Sequence, residues 1–163
     1  MCPVTVAIGA DHGGFALKAR LRQWLERQGC VLADLGTHTP APCDYPLIGY
    51  RVARAVASGQ FERGVLLCKS GAGIAIAANK VPGIRAVVCN DVAGAVHSRQ
   101  HNDANVLVLG AERISAARAV AILRAWLAAA FEGGRHLRRV KQITAIERRI
   151  LRDAGRTTRR TRQ

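Results

Sequence analysis

The chain has 163 residues, 49% of them hydrophobic and only 4% aromatic, with a formal net charge of +14. That length holds one domain whose core is filled by Ala, Val, Leu and Ile rather than by rings, and no run approaches the roughly 18 apolar residues of a membrane span. The five cysteines are odd in number and scattered, with no Cys-x-x-Cys pair; neither a zinc site nor a disulfide framework is expected, and a reducing cytoplasm fits them.

The opening Met-Cys-Pro-Val-Thr-Val does not read as a signal peptide. Val4 to Gly9 reads as a first strand, with Asp11-His12-Gly13-Gly14 at its carboxyl end. Phe15 to Gln28 has Phe15, Leu17, Leu21, Trp24 and Leu25 on one helical stripe, and Gly29 stops it. Cys30 to Leu35 is a second strand. A Pro/Thr-rich loop from Gly36 to Pro46 carries His38 and Asp44-Tyr45-Pro46, and Leu47 to Ser58 is a second helix. Arg63 to Cys68 and Arg85 to Cys89 are the third and fourth strands. Asp91 caps a helix reaching about Gln100, the polar His101-Asn102-Asp103 follows, and Asn105 to Leu109 is the fifth strand. Ser115 to Ala130 is an Ala-rich helix broken at Gly133-Gly134. Arg135 to about Arg152 is a last helix with Leu137, Val140, Ile143, Ile146 and Ile150 on one stripe. Residues 1–152 form the domain, and the basic residues 153–163 read as a disordered tail.

The stretch from Val65 to Lys80, VLLCKSGAGIAIAANK, organises the rest. A buried strand passes through Cys68 into the turn Lys69-Ser70-Gly71-Ala72-Gly73 and then a helix. Strand, small-residue loop and helix aim backbone N–H groups at an anion. A thiol at that point is either a small buried hydrophobe or, if loop dipoles and cations lower its pKa, a base or nucleophile. The stretch lacks the Gly-Lys-Ser/Thr ending of a P-loop and the full dinucleotide pattern, so no NAD or other cofactor is indicated.

Strands alternating with helices predict a parallel sheet covered on both faces. The polar clusters follow strands, so Asp11, His12, Tyr45, Cys68, Ser70, His101 and Asn102 are expected to converge at one end of the sheet. Read alone, Asp11 is equally an N-cap, His101 a polar helix end, and Arg135 with Arg139 a solvated helix face. The positive charge could signal nucleic acid, but most of it lies in residues 135–163, where only Glu147 and Asp153 are acidic. No aromatic platform accompanies it, so a nucleic-acid-binding protein is the weaker alternative.

GADHGGFALK, the Asp44-Tyr45-Pro46 loop, LLCKSGAGIAIAANKVPGIRA, SRQHNDANVLVLG and FEGGRHLRRV, in that order, resemble the ribose-5-phosphate isomerase B family, which also holds the galactose-6-phosphate isomerase subunits. The resemblance covers residues 4–149. It implies a three-layer α/β/α Rossmann-like domain with a five-stranded parallel sheet and a C-terminal helix exchanged at a dimer interface. It also implies a homodimer, or a tetramer of paired dimers, with sites at the subunit boundary. The implied reaction is metal-free interconversion of ribose 5-phosphate and ribulose 5-phosphate, or the same chemistry on an allose, galactose or tetrose phosphate. In residue terms the resemblance makes Cys68 the base, assisted by Ser70, with the amides of Lys69, Gly71, Ala72 and Gly73 as the anion hole. It assigns Asp11 and His101 to ring opening, His12, Arg113, Arg135 and Arg139 to the phosphate, and Tyr45 and Asn102 to the sugar. His38, His97 and His136 are left as structural or surface residues, and Cys2, Cys30, Cys43 and Cys89 as ordinary thiols. The family usually has glycine after the catalytic cysteine, where this chain has Lys69. Its ammonium either sits beside the thiol or points to solvent.

Overall fold

Runs rich in β-branched and aliphatic residues become strands, and the segments between them become amphipathic helices. The computed structural model describes residues 4–160, and side chains for residues 4–156. The elements are β1 (Thr5–Ala10), α1 (Phe15–Arg27), β2 (Val31–Asp34), α2 (Tyr45–Ala57), β3 (Arg63–Cys68), α3 (Ala72–Ala78), β4 (Ala86–Val88), α4 (Val92–Asn102), β5 (Val106–Gly110), α5 (Ala116–Ala128) and α6 (Gly134–Arg160). The strands form one sheet in the order β2-β1-β3-β5-β4. Every pairing is parallel, with Ile8 opposite Val65 and Leu66 opposite Val108.

Alternation along the strands builds two cores. Val6, Ile8, Val65, Leu67, Leu107 and Leu109 point to the layer of α1 and α5, where Leu21, Leu25, Ile122, Leu123 and Trp126 close on them. Ala7, Leu66, Cys68, Val106 and Val108 point the other way, against Ile48 and Val52 of α2 and Ile74 and Ala78 of α3. With both faces covered, the strands read as continuous apolar runs. The strand order reverses between β1 and β3, which opens a crevice beyond their carboxyl ends. The loop after β2 is tied down by the buried Lys18, whose Nζ donates to both Asp34 carboxylate oxygens at 2.7 Å and to the Thr37 carbonyl at 2.6 Å.

Four details differ from the sequence reading. Helix α2 begins at Tyr45, because Pro46 fits the first turn of a helix, where its missing N–H is not needed. Helix α4 continues to Asn102 and ends on Asp103 in the left-handed region, φ 48°. Helix α6 runs past Arg152 to Arg160 in place of the expected disordered tail. Nothing there breaks it except Gly155, at a cost of about 1 kcal/mol, and Arg149 and Asp153 pair along it at 3.9 Å. Cys30 is disulfide-bonded rather than an ordinary thiol; spacing along the chain does not reveal which cysteines meet. Residues 1–3 with Cys2, and residues 161–163, lie outside the described residues. Among the described residues no helix is long and apolar enough to cross a membrane.

Candidate active site

Cys68 is the last residue of β3, and its side chain turns into the α2/α3 layer, where it is buried. The chain then reverses at Gly71, φ 84°, a conformation that costs a glycine nothing. The reversal brings the Gly71 N–H back onto Cys68 Sγ at 3.1 Å, and the Ala72 N–H donates to Ser70 Oγ at 3.3 Å. Tyr45 lies across the next turn so closely that a Cβ at Gly73 would stand 2.5 Å from its Cζ. The segment after β5 closes the far side. Ala111 N–H donates to the Cys68 carbonyl at 2.8 Å and Glu112 N–H to the Lys69 carbonyl at 3.1 Å. Arg113 is exposed beside this segment, its Cγ 3.1 Å from where a Cβ of Gly110 would stand.

The loop after β1 supplies the opposing groups. Asp11 is buried, donates its N–H to the Leu67 carbonyl at 3.3 Å, and accepts the Gly14 N–H on Oδ1 at 3.1 Å. His12 Nδ1 lies 3.2 Å from both the N–H and the carbonyl of Cys43, accepting from the first in one tautomer and donating to the second in the other. The stem of Lys69 packs across Gly13, a Cβ there falling 2.5 Å from Lys69 Cγ. Its ammonium stands 3.9 Å from Glu112, with both side chains more than 60% exposed, so Lys69 faces solvent rather than the thiol.

His101, Asn102, Arg135 and Arg139 are not in this group. Helix α4 starts beyond the carboxyl end of β4 and runs back, so its last residues reach the amino end of the sheet. Arg85, which precedes β4, donates Nε to the Asn102 carbonyl at 3.0 Å and to the Asp103 carbonyl at 2.9 Å. The expected convergence therefore fails within one chain. His101 and Asn102 end a returning helix instead of following a strand.

At this amino end the histidines form a stack. The His101 ring is sandwiched between His97, centroids 5.0 Å apart, and His136, centroids 4.2 Å apart at an interplanar angle of 4°. Glu132 Oε2 lies 3.8 Å from Nε2 of both His101 and His136. Arg135 Nε is 3.4 Å from His136 Nε2. Burial first, and then the neighbouring His101 and Arg135, hold the His136 imidazole below its ordinary proton affinity. The sequence reading left His97 and His136 as structural or surface residues and did not single out Glu132; His97 and His101 sit at the i, i+4 spacing that brings neighbours together on α4. The ligand atoms of His101, Glu132 and His136 lie within 4.8 Å of one another. A metal must lie in the plane of each imidazole it binds. Parallel stacked rings share no such point, and Arg135 already faces one nitrogen, so this arrangement suits a proton better than a cation.

A buried thiol met by an amide, with a buried carboxyl and an imidazole in the loop after the adjoining strand, all at the switch point of a parallel sheet, defines an α/β enzyme for a small anionic substrate. The chain belongs to the Ribose/Galactose Isomerase family, which matches residues 6–143. It is 49% identical over 144 residues to ribose-5-phosphate isomerase B of Escherichia coli, covering 88% of this chain and 97% of that one. Ribose-5-phosphate isomerase B of Clostridium thermocellum superposes with a TM-score of 0.89 at 47% identity, covering 90% of this chain and 99% of that one. The Mycoplasma genitalium enzyme with bound ribulose-5-phosphate superposes with a TM-score of 0.86 at 34% identity, covering 91% and 99%.

Proposed function

We propose that this isomerase interconverts ribose 5-phosphate and ribulose 5-phosphate through an enediolate, with Cys68 as the base. The observation that carries the proposal is the Gly71 N–H aimed at Cys68 Sγ at 3.1 Å, at the mouth of the switch-point crevice. A thiolate there takes the proton from C2 of the open-chain aldose. The electron pair moves into the C1–C2 bond, and negative charge grows on O1. Loop amides between Lys69 and Gly73, with the Ser70 hydroxyl, are the donors that meet it. A proton passes from O2 to O1, the O2 electron pair closes the C2=O bond, and return of the carbon-bound proton to C1 yields the ketose. No electrons enter or leave overall, so the cycle needs no redox cofactor.

The sugar arrives mainly as a ring, which must open first. Asp11 removes the proton from the C1 hydroxyl, the C1–O4 bond breaks, and His101 gives O4 a proton. Imidazole is the side chain tuned to hand over a proton near neutral pH. His101 and Asp11 lie at opposite ends of one sheet, so His101 comes from a second subunit. In this reading α6 crosses a twofold interface, and each subunit's His101, Asn102, Arg135 and Arg139 complete the partner's crevice. The exposed apolar side chains Leu47, Tyr50 and Ile76 on α2 and α3, and Ile143, Ile146 and Ile150 on α6, are the surfaces that a copy would cover. His12, Arg113, Arg135 and Arg139 hold the phosphate, Arg by paired N–H groups, and Tyr45 and Asn102 contact the sugar. Residues 1–152 suffice for this chemistry. The cytoplasm is the compartment this reading implies, since a phosphate dianion does not cross a hydrocarbon layer.

Incubation with ribose 5-phosphate, with and without chelator, is expected to form ketose at equal rates. Turnover of a four- or six-carbon aldose phosphate with higher kcat/KM would move the substrate, and no turnover of any would remove the activity.

A further inference from the structure

The mechanism uses His101 but leaves the groups around it without a role. His97 and His136 cover the two faces of its ring, so its plane is fixed and only its edge is free. One of these neighbours is unusual for a polar side chain. His136 sits at the start of α6 and is only 6% exposed. Its Nε2 faces Arg135 Nε, so that nitrogen accepts and the ring's single proton sits on Nδ1. The second contact of His101 is Glu132, whose carboxylate stands at one distance, 3.8 Å, from both rings.

We propose that His136 is a positioning residue for His101: a buried, neutral imidazole that serves as the flat platform for the proton-carrying ring, with Glu132 as the counter-charge to the one proton the pair holds. The inference deepens the ring-opening reading of His101 and rests on it. A second proton on the pair would put two cations 4.2 Å apart beside Arg135 and Arg139. Burial and these neighbouring charges therefore disfavour the charged form of His136. The charged and titratable groups facing this pair are His97 on α4, Glu132 on the connection into α6, and Arg135 and Arg139 on α6. A ring held this way meets O4 with its edge at a set angle, and a ring free to rotate would deliver its proton less often.

Two substrates separate this role from a structural one. Ribose 5-phosphate closes to a furanose, whereas an aldotetrose with its phosphate on O4 cannot close. His136→Leu, which removes the flat partner, is expected to lower kcat on the pentose about 10- to 100-fold, less than the roughly 10²–10⁴-fold of losing the proton-transfer group itself, and to change kcat on the tetrose less than about twofold. His136→Phe keeps a flat buried ring and is expected to recover most of the pentose rate. Equal losses on both substrates, or no loss on either, would overturn the inference. His101→Asn is the control. If it lowers pentose and tetrose turnover alike, ring opening by His101 itself is wrong. If it is selective and His136→Leu is not, only the positioning role falls. Should the variants fail to fold, histidine ¹⁵N spectra of the unaltered protein decide the matter. The neutral Nδ1–H form of His136 is expected to persist down to about pH 6.5, the ordinary histidine value, and a His136 ring already doubly protonated there overturns the proposal.

Discussion

The two ends of the sheet carry two different kinds of site. At the carboxyl end the thiol, the buried carboxyl and the imidazole are set by backbone. Cys68 faces an amide, Asp11 is tied to Gly14, and His12 is tied to the main chain of Cys43. At the amino end every group is set by side chains, with rings stacked on rings and guanidinium groups placed by helix spacing. The first kind is assembled within one chain and fits a step that needs donors fixed before charge develops. In the function proposed above, the second becomes a site when it docks on the crevice of another copy. The comparison therefore predicts which changes act within a subunit and which act across subunits.

The largest effect belongs to the carboxyl end. Cys68→Ala is expected to lower ketose formation at least about 10²–10⁴-fold, the usual cost of losing a general base, with an unchanged circular dichroism spectrum. Near-normal turnover would assign the base elsewhere. Arg135→Ala/Arg139→Ala is also expected to be nearly inactive. Mixed with Cys68→Ala chains it should regain activity, because one site of each heterodimer then carries both defects and the other none. Heterodimers seen by mass spectrometry without recovered activity would mean that the amino-end cluster serves its own chain.

The next effect belongs to a single phosphate contact. Arg139→Ala is expected to raise KM by the worth of one charge-assisted hydrogen bond, about 1.5–3 kcal/mol or roughly 10- to 150-fold. Arg113→Ala should do the same without any subunit mixing effect, since Arg113 stands at the carboxyl end of its own chain's sheet. A rescue pattern for Arg113 like that of Arg139 would collapse the distinction between the two ends.

How much of this was legible before the fold follows from the same contrast. Cys68, Asp11 and His12 each come within two residues of a strand's carboxyl end, so topology alone brings them together. The five-stranded parallel sheet was readable because each strand is a short apolar run bounded by turn residues, and each helix has a 3.6-residue stripe. His101 was misplaced by the length of one helix. Ending α4 near Gln100 turned two residues of its last turn into a loop, and a loop can be imagined anywhere, whereas a helix that leaves the carboxyl end must finish at the other. The stack around His101 was invisible for another reason. Its partners lie 4 and 35 residues away on two helices, and only the packing of α6 on α4 brings them flat together.

A smaller effect separates the two ends by pH. The unfolded chain binds a proton on His136 near the ordinary histidine value of about 6.5. The folded chain binds it only at lower pH, because burial, His101 and Arg135 oppose the charge. Between those values the unfolded state holds more protons, so stability is full above about pH 6.5 and declines as pH falls toward the folded value. Melting temperature measured from pH 8 to pH 5 is expected to fall in that window, and to fall less in His136→Phe. Identical curves would mean that His136 charges as readily in the folded protein as in the unfolded chain.

The smallest effect tests the one departure in the carboxyl-end loop. Lys69 stands next to the thiol in sequence, but its stem crosses Gly13 and its ammonium reaches Glu112 at 3.9 Å in solvent. An exposed pair of that length contributes about 0–1 kcal/mol. The loop takes its shape from the left-handed Gly71 and from the Lys69 carbonyl, which accepts the Glu112 N–H whatever side chain is present. Lys69→Gly is therefore expected to leave kcat on ribose 5-phosphate within about threefold. It should lower stability by no more than about 1 kcal/mol, the entropic cost of an extra glycine. Glu112→Gln should match it, since each breaks the same pair. A loss of tenfold or more in kcat for Lys69→Gly, with Glu112→Gln unchanged, would mean that the ammonium leaves Glu112 when substrate binds and takes part in the carboxyl-end site.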